Sequence, residues 1–315
     1  MTILIQKWIV FCGDVSNVIF GKNRSLNPSR YMQCFFVLLL LSSASLFGEE
    51  RPLQNRPHLT PENVLGSAFS RDVFKDIKVA IVGYCPPAPI LRNYNPVNLT
   101  DQYFFLVPSP CVQVCTHNGI KFLSISHIYG GAPSSALVED LAYYGIKYIL
   151  AYGFAGGLGT KGVKKGDLYL VNASLVRDGT TPHYTKEEVV YPDAWLNQKI
   201  LDTAQQNSSL GNIHLLQVMT DDAIYQEYES DLDEAVAHNC DIVNLDCSHL
   251  FAASKYVGIA ATQFGVVSNA REPAGDEKTD DLANTLIRDD ASPENPLIRV
   301  NDIIQFYVET LLPEL

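Results

Sequence analysis

Four stretches of this sequence carry side chains able to do chemistry beside backbone that can approach a ligand. Gly153, Gly156, Gly157 and Gly159 follow the apolar run Tyr148–Tyr152. Phe154 and Ala155 therefore sit in a segment whose backbone meets little steric resistance. Asp246 comes directly after the apolar run Ile242–Leu245, and a carboxyl there accepts hydrogen bonds, or donates one when protonated. Asn269 and Arg271 follow Ala260–Val267; an amide both donates and accepts but holds no titratable proton. His183 and Tyr184 put two aromatic groups on a loop after Asp178, Thr180 and Thr181. Each has a plainer use as well: Asp246 as a helix N-cap, Asn269 in a turn, His183 as a solvated loop residue. The seven cysteines have no metal-ligand spacing and are expected to be buried thiols, with no metal bound.

The elements that must position these residues alternate between strand and helix. Strands are expected at Ile77–Gly83, Val112–His117, Ile120–Ile125, Tyr148–Gly153, Leu168–Asn172, Ile213–Met219, Ile242–Leu245 and Ala260–Val267. Asn118-Gly119 predicts a type I′ hairpin turn between the second and third. Helices are expected from Gly130 to Tyr144, Asp193 to Gln206, Ser248 (as cap) to Val257, and Val300 to Leu312, from caps and apolar spacing. The pattern predicts a single α/β domain with a central mixed, largely parallel sheet flanked by helices. Ligands in such folds lie beyond the carboxyl ends of the strands, where Asp246, Asn269 and the glycine cluster fall.

The net charge is −12, and residues 201–315 hold 5 Lys/Arg against 21 Asp/Glu. Such a surface repels a phosphate backbone, so no nucleic-acid partner is expected. With 16 Tyr and 14 Phe the chain has apolar material for a core and is not a disordered one. Residues 1–48 differ in kind: Cys34–Leu41 is an apolar run after Lys22, Arg24 and Arg30, with small residues following. It is too short to span a bilayer and resembles a secretory signal, so export to a secreted or periplasmic location is expected, with the domain proper at 58–315.

Six motifs in order resemble the nucleoside phosphorylase and nucleosidase superfamily. Gly130-Gly131-Ala132-Pro133-Ser134-Ser135 is similar to its GxGxPS helix opening, and Gly153–Leu158 with Gly166-Asp167 to its glycine-rich and GD signatures. Arg177–Tyr184 resembles the DGASxHF stretch of uridine phosphorylase-like members. Thr220–Tyr225, Val243–Ser248 and Val267–Asn269 complete the series, which covers residues 58–312. The resemblance implies a nucleoside or nucleobase ligand, a homo-oligomer, and cleavage of an N-glycosidic bond through an oxocarbenium-like sugar. Asp246 then bonds a sugar hydroxyl and Asn269 the base, as the catalytic pair. Gly153, Phe154, Ala155, Gly156, His183, Tyr184, Leu245 and Arg271 line the site.

The phosphate-binding residues of the family do not carry over. Its GDPxR turn reads Gly83-Tyr84-Cys85-Pro86-Pro87, Ala151 stands at its Arg and Phe154 at its Ser/Thr. Phe154 and Pro86–Pro89 are expected to fill the volume that phosphate would need. No cofactor is expected, nor a requirement for inorganic phosphate. Three functions follow: a divergent nucleoside transferase or hydrolase, an inactive exported nucleoside-binding or storage protein, or an oligomeric scaffold.

Overall fold

The computed structural model describes residues 57–206, 210–271 and 295–315. Leu59–Leu315 is one compact unit; the apolar run Cys34–Leu41 lies outside the described residues. The strands among these are β1 (Val79–Gly83), β2 (Val97–Asn98), β3 (Val112–His117), β4 (Ile120–Ile125), β5 (Tyr148–Tyr152), β6 (Phe154–Gly157), β7 (Leu168–Val176), β8 (Val189–Val190), β9 (Ile213–Thr220), β10 (Ile242–Asn244) and β11 (Ala260–Ala270). The helices are α1 (Pro61–Val64), α2 (Gly131–Tyr143), α3 (Ala194–Gln205), α4 (Glu229–Ala237), α5 (Cys247–Val257) and α6 (Pro296–Gln305).

All strands join one mixed sheet in the order β2-β3-β4-β1-β5-β11-β6-β10-β9-β7-β8. β11 organises it. Its first part runs parallel to β5, its middle antiparallel to β7, and its end parallel to β6. The β6–β10, β10–β9 and β9–β7 pairings then close five strands into a ring.

Side chains of β1 alternate between two cores, as a pleated strand buried on both faces requires. Ala80 and Val82 meet Leu137, Leu141, Leu250 and Phe251 of α2 and α5. Val79 and Ile81 meet Leu196 and Ile200 of α3 with Val300 and Ile303 of α6. The β3–β4 hairpin turns at Asn118 (φ 47°) and Gly119 (φ 81°), both left-handed as a type I′ turn demands.

Several boundaries differ from expectation. The glycine cluster is a strand, β6, because it pairs on both sides with β10 and β11. Ser248 is not the cap of α5; the helix starts at Cys247 with Asp246 in the cap position, and the Asp246 side chain makes no capping bond. β1 starts at Val79 rather than Ile77. The closing helix opens four residues before Val300, at Pro296, where the Asn295 side chain accepts from Leu297 N–H, and it ends in a π-helical turn, Phe306–Leu311. Helix α4 had no strong apolar period and was not expected.

Asp140 of α2 is buried and accepts from Phe105 N–H at 2.8 Å. Burial pushes its carboxyl up to about 7, the Phe105 donor pulling down and Glu139 pushing further up. The native protein thus holds a proton that an unfolded chain releases near pH ~4. Stability should fall as pH rises from that value to about 7, and level off above it. Asp140→Asn, which keeps a carbonyl acceptor for Phe105, should lack this component; urea unfolding midpoints of both proteins at pH 5 and pH 8 measure it.

Candidate active site

Asp246 lies against Gly153, between the end of β5 and the start of β6, and against Gln263 inside β11. Its carboxyl is buried, at 5% exposure, and Gln263 Nε2 donates to Oδ2 at 3.4 Å. No cation pairs with it among the described residues. Burial holds its proton well above the usual carboxylate range, with the Gln263 donor opposing. Gly153 faces the same oxygen: a Cβ there would stand 2.8 Å from Asp246 Oδ2 and 3.2 Å from Tyr84 Cβ. Glycine is required because carboxyl and backbone approach so closely.

Asn269 lies against Gly156 of β6. The register between β11 and β6 shifts between Val267 and Asn269; the extra residue, Ser268, makes a β-bulge, a device that re-aims the side chain after it. Asn269 Oδ1 comes within 3.6 Å of where a Gly156 Cβ would be, and the Ser268 hydroxyl donates to it at 2.7 Å. Asp246 borders Gly153, just before β6, and Asn269 borders Gly156 within it. Leu245 is half-buried and its carbonyl accepts from His249 Nε2 at 2.8 Å.

The remaining expected residues are not gathered there. His183 is exposed on the turn Thr181–His183. Tyr184 donates to Glu139 at 2.6 Å and meets the Tyr256 ring edge-on, which ties its loop to α2 and α5. Arg271 pairs with Asp233 and Glu229 on α4, a surface pairing that takes its guanidinium away from Asp246. Arg177 pairs with Glu234, and Arg92 is exposed.

The phosphate-site expectation is corrected in one respect. Pro86, Pro87 and Pro89 are exposed, and Phe154 is only half-buried. Tyr84 fills the interior instead: it is buried, and its hydroxyl lies 2.6 Å from Ser134 Oγ at the start of α2. Ala151 has 0% exposure, and its carbonyl accepts from Tyr307 at 2.9 Å.

Asp178 was not singled out in the sequence, yet it builds the wall beside α5. Oδ1 accepts from the N–H groups of Thr180 and Thr181, and Oδ2 from the hydroxyls of Thr181 and Ser248. Burial alone would raise its pKa, but the Ser248 and Thr181 donors outweigh it and hold the carboxylate below its usual range. Gly131 lets this loop touch α2, since a Cβ there would lie 2.1 Å from Thr180 Oγ1. Gln263 is the other omission; its signal was a lone amide inside the apolar strand AATQFGVV.

An α/β sheet with convergent polar groups at its carboxyl edge is the architecture of a small-molecule site. The family model of the phosphorylase superfamily matches residues 130–294, over half of the sequence. The chain belongs to that superfamily, which includes the nucleoside phosphorylases. An uncharacterized protein of Acanthamoeba polyphaga mimivirus is 29% identical over 75% of this chain and 92% of its own length. Guanosine phosphorylase of Halorubrum lacusprofundi is 26% identical over 50% of this chain and 64% of its own. Among solved structures, purine nucleoside phosphorylase from Toxoplasma gondii in complex with immucillin-H shares the fold, with TM-score 0.58 at 19% identity, covering 76% of this chain and 94% of that one.

Gly153→Ala should cost about 1–3 kcal/mol, because its methyl collides with a buried carboxyl. In the Gly153→Ala/Asp246→Ala double variant the penalty of the glycine change should shrink, a coupling read from four denaturation curves. Additive effects would place the Asp246 carboxyl elsewhere.

Proposed function

We propose that this protein binds a nucleoside across β6 and cleaves its N-glycosidic bond with little dependence on inorganic phosphate. Asp246 bonds a sugar hydroxyl, and Asn269 holds the leaving base through its amide. As the bond to the base breaks, water adds to the sugar carbon and its proton goes to the departing base, while Asp246, through the sugar hydroxyl it bonds, offsets the positive charge developing on the sugar. The observation that carries this is the buried Asp246 carboxyl set against Gly153, with the Asn269 amide against Gly156 and Tyr84 rather than a cation at the first strand's end. A divalent anion there would forgo charge-assisted bonds of ~1.5–3 kcal/mol each.

A second reading, binding without turnover, draws support from the same carboxyl. Burial raises the Asp246 pKa, a direction that favours its role as a hydrogen-bonding group over that of a base for water. Export of the chain and assembly as a homo-oligomer belong to the proposal too; N-terminal sequencing of the secreted protein and light scattering test them.

The deciding assay offers guanosine, inosine, uridine and thymidine to the purified protein with and without phosphate. Rates in the two conditions should agree within about twofold, and free pentose should be the product, since no anion site assists phosphate attack. Strong phosphate dependence yielding pentose 1-phosphate would overturn the proposal. Nucleoside binding with no product would select the second reading.

A further inference from the structure

Beneath the candidate site lies a set of buried polar groups that no expected role uses: Asn244, Cys247 and Gln263, at 6%, 0% and 0% exposure. Their hydrogen bonds have one consistent direction. The Asp246 backbone N–H, which can only donate, bonds Asn244 Oδ1 at 3.2 Å. Thr220 Oγ1 donates to the same oxygen at 3.1 Å. With its oxygen so fixed, Asn244 turns Nδ2 to Cys247 Sγ at 3.1 Å. The thiol, now an acceptor, sends its own proton to Gln263 Oε1 at 3.2 Å. That leaves Gln263 Nε2 as the group facing Asp246 Oδ2, at 3.4 Å.

We propose that this ring of four hydrogen bonds, leaving Asp246 at its amide and returning at its carboxyl, aims the carboxyl at the ligand, with Gln263 and Cys247 as positioning residues. The inference rests on the reading of Asp246 as the partner of a sugar hydroxyl. By holding Oδ2, the ring leaves Oδ1 to the ligand. A flipped Asn244 amide would set donor against the Asp246 N–H, and a flipped Gln263 amide would set oxygen against the ionised carboxylate, so with Asp246 ionised a single polarity survives. The thiol has to stay protonated for the ring to close, and burial raises the Cys247 pKa. The ionisable groups that feel the Asp246 charge are Cys247, Tyr84 and Cys85 after β1, Tyr129 on the loop before α2, and Tyr169 on β7, each raised by it. None is a cation, so the Gln263 amide is the ring's one means of drawing the carboxyl toward ionisation.

The test uses the full chain labelled with carboxyl-¹³C aspartate, the Asp246 signal being assigned by its loss in Asp246→Asn. Gln263→Leu and Cys247→Ala should shift that signal and raise its protonation midpoint. Each should also weaken binding of the ribonucleosides in the panel by about tenfold or more, the scale of one lost buried hydrogen bond. Cys247→Ser, whose hydroxyl accepts and donates as the thiol does, should recover both. An unmoved signal and midpoint in Gln263→Leu, with melting like that of the parent protein, would overturn the ring. If Gln263→Leu does not fold, the Cys247→Ala and Cys247→Ser pair decides: signals alike in both and equal to the parent's would also overturn it. If the carboxyl responds as expected but the parent protein binds no nucleoside, the ring stands and the nucleoside reading fails.

Discussion

A carboxyl group buried without a cation must be satisfied by neutral partners or keep its proton. Asp246 is in that position, at the junction of β5, β6 and β11, and much of the surrounding chemistry follows from it. The backbone beside it has to be glycine, at Gly153, because the carboxyl occupies the room of a side chain. The strand across from it has to interrupt an apolar run with Gln263, whose amide supplies the donor. Gln263 in turn needs a donor for its own oxygen, which Cys247 provides. A basic residue at Ala151 or Tyr84 would draw the carboxyl into an ion pair; the sequence places an apolar and a phenolic group there instead.

The ring of strands makes this junction possible. β11 leaves β5, crosses β7 and ends against β6, so residues from three parts of the chain share one edge. The bulge at Ser268 sets the Asn269 side chain against Gly156. On the other side, the Asp178 turn ties its loop to α5 through Ser248 and lies against α2 at Gly131. The site is therefore framed by hydrogen-bonded backbone and by helices packed on both faces, which is the support that a positioned carboxyl needs.

Most of the architecture was legible in the sequence. Asn118-Gly119 fixed the hairpin, Asp193 capped α3 through Leu196 N–H as its residue type suggested, and Gly145 ended α2 in the left-handed region. The glycine-rich β6 is not among the expected strands, because glycine has low strand propensity and only pairing on both sides overrides it. Asp246 and Asn269 are named as candidates through motif position. His183, Tyr184 and Arg271 came with them, although the structure directs Tyr184 to Glu139 and Arg271 to α4. Local sequence could not show this, since their partners Glu139, Tyr256, Glu229 and Asp233 are distant in the chain and chosen by packing. Gln263 and Asp178 were missed for a related reason: a buried polar residue reveals its role only when its donors are known.

The central claim is that the Asp246 carboxyl is aimed at the hydroxyls of a sugar. The most direct measurement is calorimetric binding of guanosine and uridine beside their 2′,3′-dideoxy counterparts, to the parent protein and to Asp246→Ala. The parent protein should prefer at least one ribonucleoside over its dideoxy form by about tenfold or more, the value of one hydrogen bond to a buried polar group. Asp246→Ala should bind the two forms alike. Equal discrimination by both proteins would contradict the account.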